Sequence, residues 1–173
     1  APATRSGESG VVTGFLNVGM RNLFGTGRRL AVRWQRDGRE TQEIAVRYVE
    51  PWVAGLPLTA SIGLVQRQQD SSYVQRTLET GTDLLLTEVL SVGLVASFEE
   101  VIPSSDVSRP IVAESHTTAG GVTLRYDTRA DPSNPTSGVN CRTLFQVGAK
   151  SIAAGTPGVQ QGSTTVRTLS ADA

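Results

Sequence analysis

The chain has 173 residues, so a single domain with a sizeable core is the expectation. Its 16 basic and 16 acidic residues cancel, which argues against a basic surface for nucleic acid. The single histidine and single cysteine exclude a zinc cluster built from these ligands and an internal disulfide. A hydrophobic share of 38% with 18 glycines favours strands that have one wet face.

Alternation of apolar and polar residues predicts an all-β chain with no helix. Most of the alternating stretches reach the about 9 to 11 residues of a tilted membrane strand, whereas strands of soluble proteins average about five or six. An antiparallel transmembrane β-barrel is therefore the predicted fold. The predicted strands lie near residues 11–21, 28–36, 41–50, 57–68, 73–86, 89–101, 118–129, 138–150 and 164–173.

The apolar stripes predict which residues face lipid. Val32, Ile62, Leu94 and Val122 belong to the apolar stripes, whereas Arg33, Ser61 and Arg125 belong to the opposite, wet face. Aromatic residues near strand ends are expected at the membrane interface, where amphipathic rings are favoured. They are Trp34, Tyr48, Trp52 and Tyr126.

The length of the hairpin loop at Asp37-Gly38 decides whether even-numbered residues of one strand share a face with the even-numbered or the odd-numbered residues of the next. A two-residue Asp-Gly turn would place even-numbered residues opposite odd-numbered ones and mismatch the two apolar stripes. The sequence therefore predicts an odd-length loop centred on Gly38, with Gly38 near the left-handed region. Arg33 then lies opposite Glu43 on the polar face.

The connections alternate between short turns and longer loops. The short set is 22–27, 50–55, 87–88 and 131–138, and the longer set includes 102–117 and 151–163. This asymmetry is typical of outer-membrane barrels. In the last turn, Pro132 and Pro135 remove backbone donors and end the strand.

Three of these turn segments together resemble a known family. They are Asn22-Leu23-Phe24-Gly25-Thr26-Gly27, Tyr48-Val49-Glu50-Pro51-Trp52, and Asp127-Thr128-Arg129 followed by Asp131, Pro132, Pro135 and Gly138. Their order, spacing and place on alternate turns are similar to the bacterial surface antigen family, the barrel domain of the outer-membrane barrel-assembly proteins. The resemblance spans about residues 10 to 150 and makes Asn22, Phe24, Gly25, Gly27, Glu50, Pro51, Trp52, Asp127, Arg129, Asp131, Pro132, Pro135 and Gly138 the structural motif residues.

The resemblance implies a barrel of about sixteen strands in the bacterial outer membrane that inserts or translocates other proteins. The implied partners are outer-membrane lipid, client outer-membrane proteins and accessory lipoproteins, with no nucleic acid and no cofactor. Aligned on the turns, residues from Val11 resemble the family's second strand. Residues 1–173 are therefore expected to be a partial barrel from the N-terminal half, seen as an open curved sheet, with residues 1–10 disordered or a remnant of a preceding strand.

Two other functions remain open from the sequence. The same barrel would serve as a passive anchor or pore for a separate passenger domain. A soluble, lipocalin-like ligand-binding barrel would show the same alternation with the facing reversed.

The charged residues predict no enzyme. Glu99 and Glu100 are adjacent in a strand and point to opposite faces, so they cannot act as a pair. Asp127 and Arg129 are expected to pair with neighbouring strands inside the lumen, which favours a structural role over an anion site.

The remaining candidates have structural interpretations. The segment Gly25-Thr26-Gly27-Arg28 lacks the later residues of a phosphate-binding loop. His116 is expected on the surface of the longest loop, and Cys141 falls in an apolar stripe as a small buried or lipid-facing residue.

Overall fold

The computed structural model describes residues 13–38, 41–69, 73–103, 112–130, 136–152 and 163–172, the last range by its backbone alone. Every strand begins and ends within three residues of its predicted position. One turn of 3₁₀ helix, Val53–Gly55, follows the third strand. The strands are β1 Gly14–Leu23, β2 Arg28–Arg36, β3 Gln42–Glu50, β4 Leu58–Gln69, β5 Tyr73–Leu85, β6 Leu90–Pro103, β7 Ser115–Asp127, β8 Asn140–Ile152 and β9 Ser163–Asp172.

The nine strands of the described residues form one antiparallel sheet whose spatial order is the chain order, β1 to β9. Each strand pairs with its sequence neighbours, as expected of hairpin connections. β1 and β9 stand at the two ends of this order, so the sheet is open. Across the described residues, no helix is long and apolar enough to span a membrane. The predicted fold class, part of an antiparallel barrel, is confirmed.

The register places the apolar stripes of neighbouring strands side by side. A continuous apolar row crosses six strands, and its members stand directly opposite one another in successive pairs: Val18, Val32, Val46, Leu64, Leu78 and Phe98.

Side chains of the apolar stripes remain accessible, since Ile62 is 47%, Leu94 61% and Val122 45% exposed. No hydrophobic residue of the described part is buried. A soluble, lipocalin-like barrel would place this apolar face on the concave side of the sheet.

The polar face is the concave one. Arg47 of β3, Glu79 of β5 and Arg142 of β8 line one cavity of about 250 Å³, which requires the sheet to curl around that face. The apolar face is therefore convex, as a barrel wall in lipid requires. The lipocalin-like interpretation needs the reverse facing and is wrong.

The β2–β3 hairpin confirms the predicted parity but not its centre. Arg36 pairs with Gln42, so residues 37–41 form an odd-length loop and even-numbered residues face even-numbered ones. The amide of Asp37 donates to the carbonyl oxygen of Thr41 at 3.1 Å. The loop is thus centred one residue later than predicted, and Gly38 does not need a positive φ and does not have one.

The same shift changes one predicted cross-strand pair. Arg33 lies opposite Ala45, and the predicted partner Glu43 lies opposite Gln35. The carboxylate of Glu43 instead accepts a hydrogen bond from Arg67 Nη2 of β4 at 2.6 Å. The predicted pairing of Arg33 with Glu43 is therefore wrong.

A polar row ends the apolar band at the loop side of the convex face. It consists of Gln66, Arg76, Glu100 and His116, which stand opposite one another on β4 to β7. Arg76 donates to Gln66 at 3.3 Å and lies 3.8 Å from Glu100, and His116 Nδ1 lies 3.8 Å from Glu100. His116 therefore belongs to a strand and not to a loop, contrary to the prediction.

The height of the apolar band matches a membrane. On β6 the outward residues from Leu90 to Phe98 span about 26 Å along the strand at about 3.3 Å per residue. A tilt of about 40° reduces this to about 20 Å, close to the about 25 Å apolar band of outer-membrane barrels.

Candidate functional site: the short-turn rim

One end of the sheet, here called the short-turn rim, carries the turns 22–27, 50–57 and 86–89 and the described flanks 127–130 and 136–139 of a fourth turn. In its first turn, the Gly27 amide donates to Asn22 Oδ1 at 2.8 Å, and the Gly25 amide donates to the Asn22 carbonyl at 3.0 Å. Asn22 and Phe24 have φ of 58° and 56°, and both glycines also have positive φ. Asparagine tolerates the left-handed region and glycine adopts it without strain, which explains the residue types at positions 22, 25 and 27.

The second turn is tied to the first through Glu50. Its carboxylate accepts hydrogen bonds from Arg28 Nε at 2.7 Å and from the Tyr48 hydroxyl. Pro51 packs beside Gly27, where an added Cβ would lie 3.3 Å from the proline ring. The motif residues Gly27, Glu50 and Pro51 therefore hold two neighbouring turns in one arrangement.

Two aromatic motif residues of the rim are largely exposed. Phe24 is 89% and Trp52 64% accessible, and both have a positive φ that turns the chain sharply. Because apolar rings at the edge of a barrel suit the membrane interface, they are candidate contacts with lipid or with a partner.

Backbone hydrogen bonds extend the ladder beyond the strand ends. The amide of Leu85 donates to Pro57 O at 3.0 Å, and that of Asp127 donates to Val89 O at 2.8 Å. Thr87 Oγ1 accepts from the Leu90 amide at 3.1 Å and closes the third turn. The rim turns are thus joined laterally.

Asp127 is the centre of the fourth turn. Its carboxylate accepts from Arg129 Nε at 2.9 Å and Nη2 at 2.8 Å, from Arg125 Nη2 at 2.9 Å, and from Asn140 Nδ2 at 3.3 Å. The Asp127 carboxylate raises the pKa of Arg129 above its ordinary value, so the guanidinium stays charged. Among these described partners of Asp127, only Asn140 lies on a neighbouring strand. The predicted pairing with neighbouring strands is therefore confirmed for Asn140 alone, and the two arginines are partners along the chain.

The same turn needs glycine at position 138. Gly138 has φ 98°, and an added Cβ would lie 2.5 Å from the Thr128 carbonyl oxygen. Two hydrogen bonds of 2.9 Å between Thr128 and Val139 close the hairpin. The Thr128 amide donates to the Val139 carbonyl oxygen, and the Val139 amide donates to Thr128 Oγ1. The remaining motif residues, Asp131, Pro132 and Pro135, lie outside the described residues.

The other singled-out residues take structural positions. Glu99 accepts from Gln75 at 2.9 Å on the concave face, while Glu100 lies in the polar row on the convex face. Cys141 is a free thiol opposite Tyr126 in the apolar stripe. The described part of the chain holds no group of three or more metal-ligating side chains.

Three arginines that the sequence analysis did not single out line a second concave cavity. Arg21, Arg29 and Arg47 come from three strands and line this cavity, which has a volume of about 830 Å³. The alternation in the sequence already places all three arginines on the polar face, at odd-numbered positions. Their convergence depends on the register, which the sequence alone leaves open.

A curled antiparallel sheet of membrane-length strands, apolar outside and polar inside, defines an outer-membrane β-barrel protein. The model of the Omp85 superfamily domain matches residues 22–167, and the chain belongs to this superfamily. This confirms the resemblance to the surface antigen family and the location in the bacterial outer membrane. No curated protein and no solved structure matches the chain.

Membership also sets the general function. Omp85 superfamily proteins are outer-membrane barrels involved in inserting or translocating proteins, and they interact with outer-membrane substrates and accessory factors. They are in general transport and assembly proteins without enzymatic activity.

Proposed function

We propose that the barrel containing this chain inserts or translocates client proteins at the outer membrane, with residues 1–173 forming part of the N-terminal half of its wall. The observation that carries the proposal is the curled sheet with an apolar convex face and a charged concave face. Client outer-membrane proteins, outer-membrane lipid and accessory lipoproteins are the proposed partners.

The mechanism uses strand edges. An unpaired edge exposes a row of N–H and C=O groups, and hydrocarbon cannot satisfy them. A client strand that adds to such an edge by β-augmentation gains these hydrogen bonds as it enters the membrane. Thinning of the bilayer beside a weak seam lowers the barrier for this exchange.

We assign the motif residues a structural role in this mechanism. Asn22, Gly27, Glu50 and Asp127 accept or shape the hydrogen bonds that fix the rim turns. A fixed rim keeps the barrel wall in shape while an edge opens and closes elsewhere.

The test is an insertion assay with the complete barrel protein in liposomes. We expect it to accelerate insertion of an unfolded outer-membrane barrel protein over empty liposomes, measured by heat-modifiable migration of the client. The matched control is the same barrel with a disulfide that locks its seam, which should remove the acceleration and return it on reduction. A barrel that folds fully but leaves the client rate unchanged would instead support the passive anchor or pore.

A further inference from the structure

Three arginines line one cavity on the concave face near the rim. Arg21 and Arg29 stand directly opposite each other on β1 and β2. Arg47 pairs with Ala31, two residues from Arg29, so it is the diagonal neighbour of Arg29 on β3. Like charges directly opposite one another destabilise a sheet, so a negatively charged partner would stabilise this arrangement.

The described residues do not supply that partner. The arginines at 28, 67, 76, 125 and 129 each lie within 4 Å of a carboxylate. Among the described side chains, Arg21, Arg29 and Arg47 have no such ion pair, and all three are exposed. Three positive side chains without an ion pair therefore lie together on one patch of the concave wall.

The patch opens onto a wide space. Its cavity of about 830 Å³ also includes Arg125, which is already bound to Asp127, and one carboxylate, Asp83. Asp83 accepts a hydrogen bond from the Ser91 hydroxyl at 3.4 Å. The described lining of the cavity thus holds four positive side chains and one negative side chain.

The spacing of the arginines suits an extended chain. Diagonal neighbours in an antiparallel pair are about 7 to 8 Å apart. Alternate side chains of an extended peptide repeat about every 6.6 to 6.8 Å on one face. Carboxylates at every second position of such a peptide therefore match Arg29 and Arg47, and Arg guanidinium binds carboxylate through paired hydrogen bonds.

We propose that Arg21, Arg29 and Arg47 form a docking site for an extended acidic segment of a client polypeptide that enters the barrel from the short-turn side. The proposal deepens the proposed function, on which it rests for the origin of the segment. Its chemistry is carboxylate recognition, and its place is the concave wall beside β1.

The test measures peptide binding to the complete barrel protein in detergent. The probe is a fluorescently labelled peptide of alternating Glu and Thr, compared with the same peptide carrying Gln for Glu. The rim variant is Arg21→Gln/Arg29→Gln. The control variant is Arg67→Gln/Arg76→Gln, which removes the same amount of charge from β4 and β5 at the end of the sheet away from the rim. Heat-modifiable migration confirms that each variant folds.

We expect the rim variant to bind the acidic peptide at least about tenfold more weakly, and the control variant to change affinity by less than about twofold, since charged hydrogen bonds contribute more than 1.4 kcal/mol together. Binding should weaken as salt rises. Equal affinities of the two variants, or equal binding of the Glu and Gln peptides, would overturn the proposal.

Two further outcomes identify another occupant. If inorganic phosphate alone binds the arginines as tightly as the peptide does, the site takes small anions and the proposal is wrong. If the rim variant unfolds at a lower urea concentration while its peptide affinity is unchanged, the arginines pair with the barrel's own carboxylates, and the proposal is also wrong. Because binding is measured apart from insertion, a barrel that binds the peptide without inserting clients would contradict only the proposed function.

Discussion

Gly93 shows how closely the strands approach one another on the concave face. A Cβ at this position would lie 2.3 Å from the Thr82 carbonyl oxygen and 2.5 Å from Thr123 Oγ1. We expect Gly93→Ala to lower the free energy of unfolding by about 1 to 3 kcal/mol because the backbone must shift. A urea titration in lipid vesicles measures this change.

Gly19 provides the matched control, since no atom lies within 4 Å of an added Cβ there. Gly19→Ala should be neutral or stabilising by up to about 1 kcal/mol through the unfolded chain. Equal destabilisation at the two positions would mean that the close approach at Gly93 is not present in the membrane.

Leu94 tests which face meets lipid. Leu94 is 61% exposed on the convex face in the middle of β6. Leu94→Arg should cost about 2 to 4 kcal/mol of folding free energy, as charged residues do near the bilayer centre. A folding titration into vesicles gives the value.

The control for Leu94 must lie on the concave face of the same strand. Ser91 is unsuited because it is only 6% exposed and its hydroxyl bonds to Asp83, so an arginine there would be costly for steric reasons. Ser97 lies opposite Glu79, which would accept a new arginine. Ser97→Arg should cost nearly nothing, and a cost equal to that of Leu94→Arg would refute the facing.

Among the structural elements, the fourth turn depends on its internal ion pairs. The Arg129 side chain donates two hydrogen bonds to Asp127 and is 20% exposed, while a third hydrogen bond, from the Arg129 amide, remains in an alanine variant. Arg129→Ala should therefore lower the urea midpoint of unfolding more than Arg125→Ala. Arg125 contributes a single hydrogen bond and is 48% exposed, so solvent already screens it. The reverse order of midpoints would show that Asp127 does not organise the turn.

The strands also predict the depth of the polar row. Nitroxide labels on cysteines at Val122 and His116, in a Cys141→Ala background, report contact with oxygen in lipid and with a nickel complex in water. We expect the label at 122 to collide mainly with oxygen and the label at 116 mainly with nickel, because polar and charged side chains replace the apolar stripe at 116. If both labels collided with oxygen and nickel to the same extent, the polar row would not mark the membrane boundary.

For the whole molecule, the order of the sheet predicts how the isolated 173-residue chain behaves. β1 and β9 stand at opposite ends, and each presents one unpaired edge among the described strands. Hydrocarbon offers those backbone groups no partner, and direct closure of nine strands would join two parallel edges. We expect the isolated chain to aggregate or to require complementary strands when refolded with liposomes. Heat-modifiable migration together with accelerated client insertion by the chain alone would contradict this.

Much of the architecture was predictable from local patterning. The alternation of Leu30, Val32 and Trp34 with arginines identifies a strand and its apolar face, because successive side chains point to opposite sides. Asn22 and Gly27 predict a turn because their residue types suit positive φ. These features depend on residues close in the sequence, which is why the strands and the first turn were located correctly.

The pairing of distant residues was decided by the tertiary structure. The sequence alone determined the all-β class, the parity of the β2–β3 loop, the short-turn rim and the family. The predictions from sequence were wrong where a shift of one residue mattered, as for the loop centre at Gly38 and the partner of Arg33. They were also wrong for His116, which belongs to β7 and not to a loop. The meeting of Arg21, Arg29 and Arg47 likewise depends on register and curvature, because cross-strand neighbours are set by hydrogen-bonded pairing between segments and not by spacing within one.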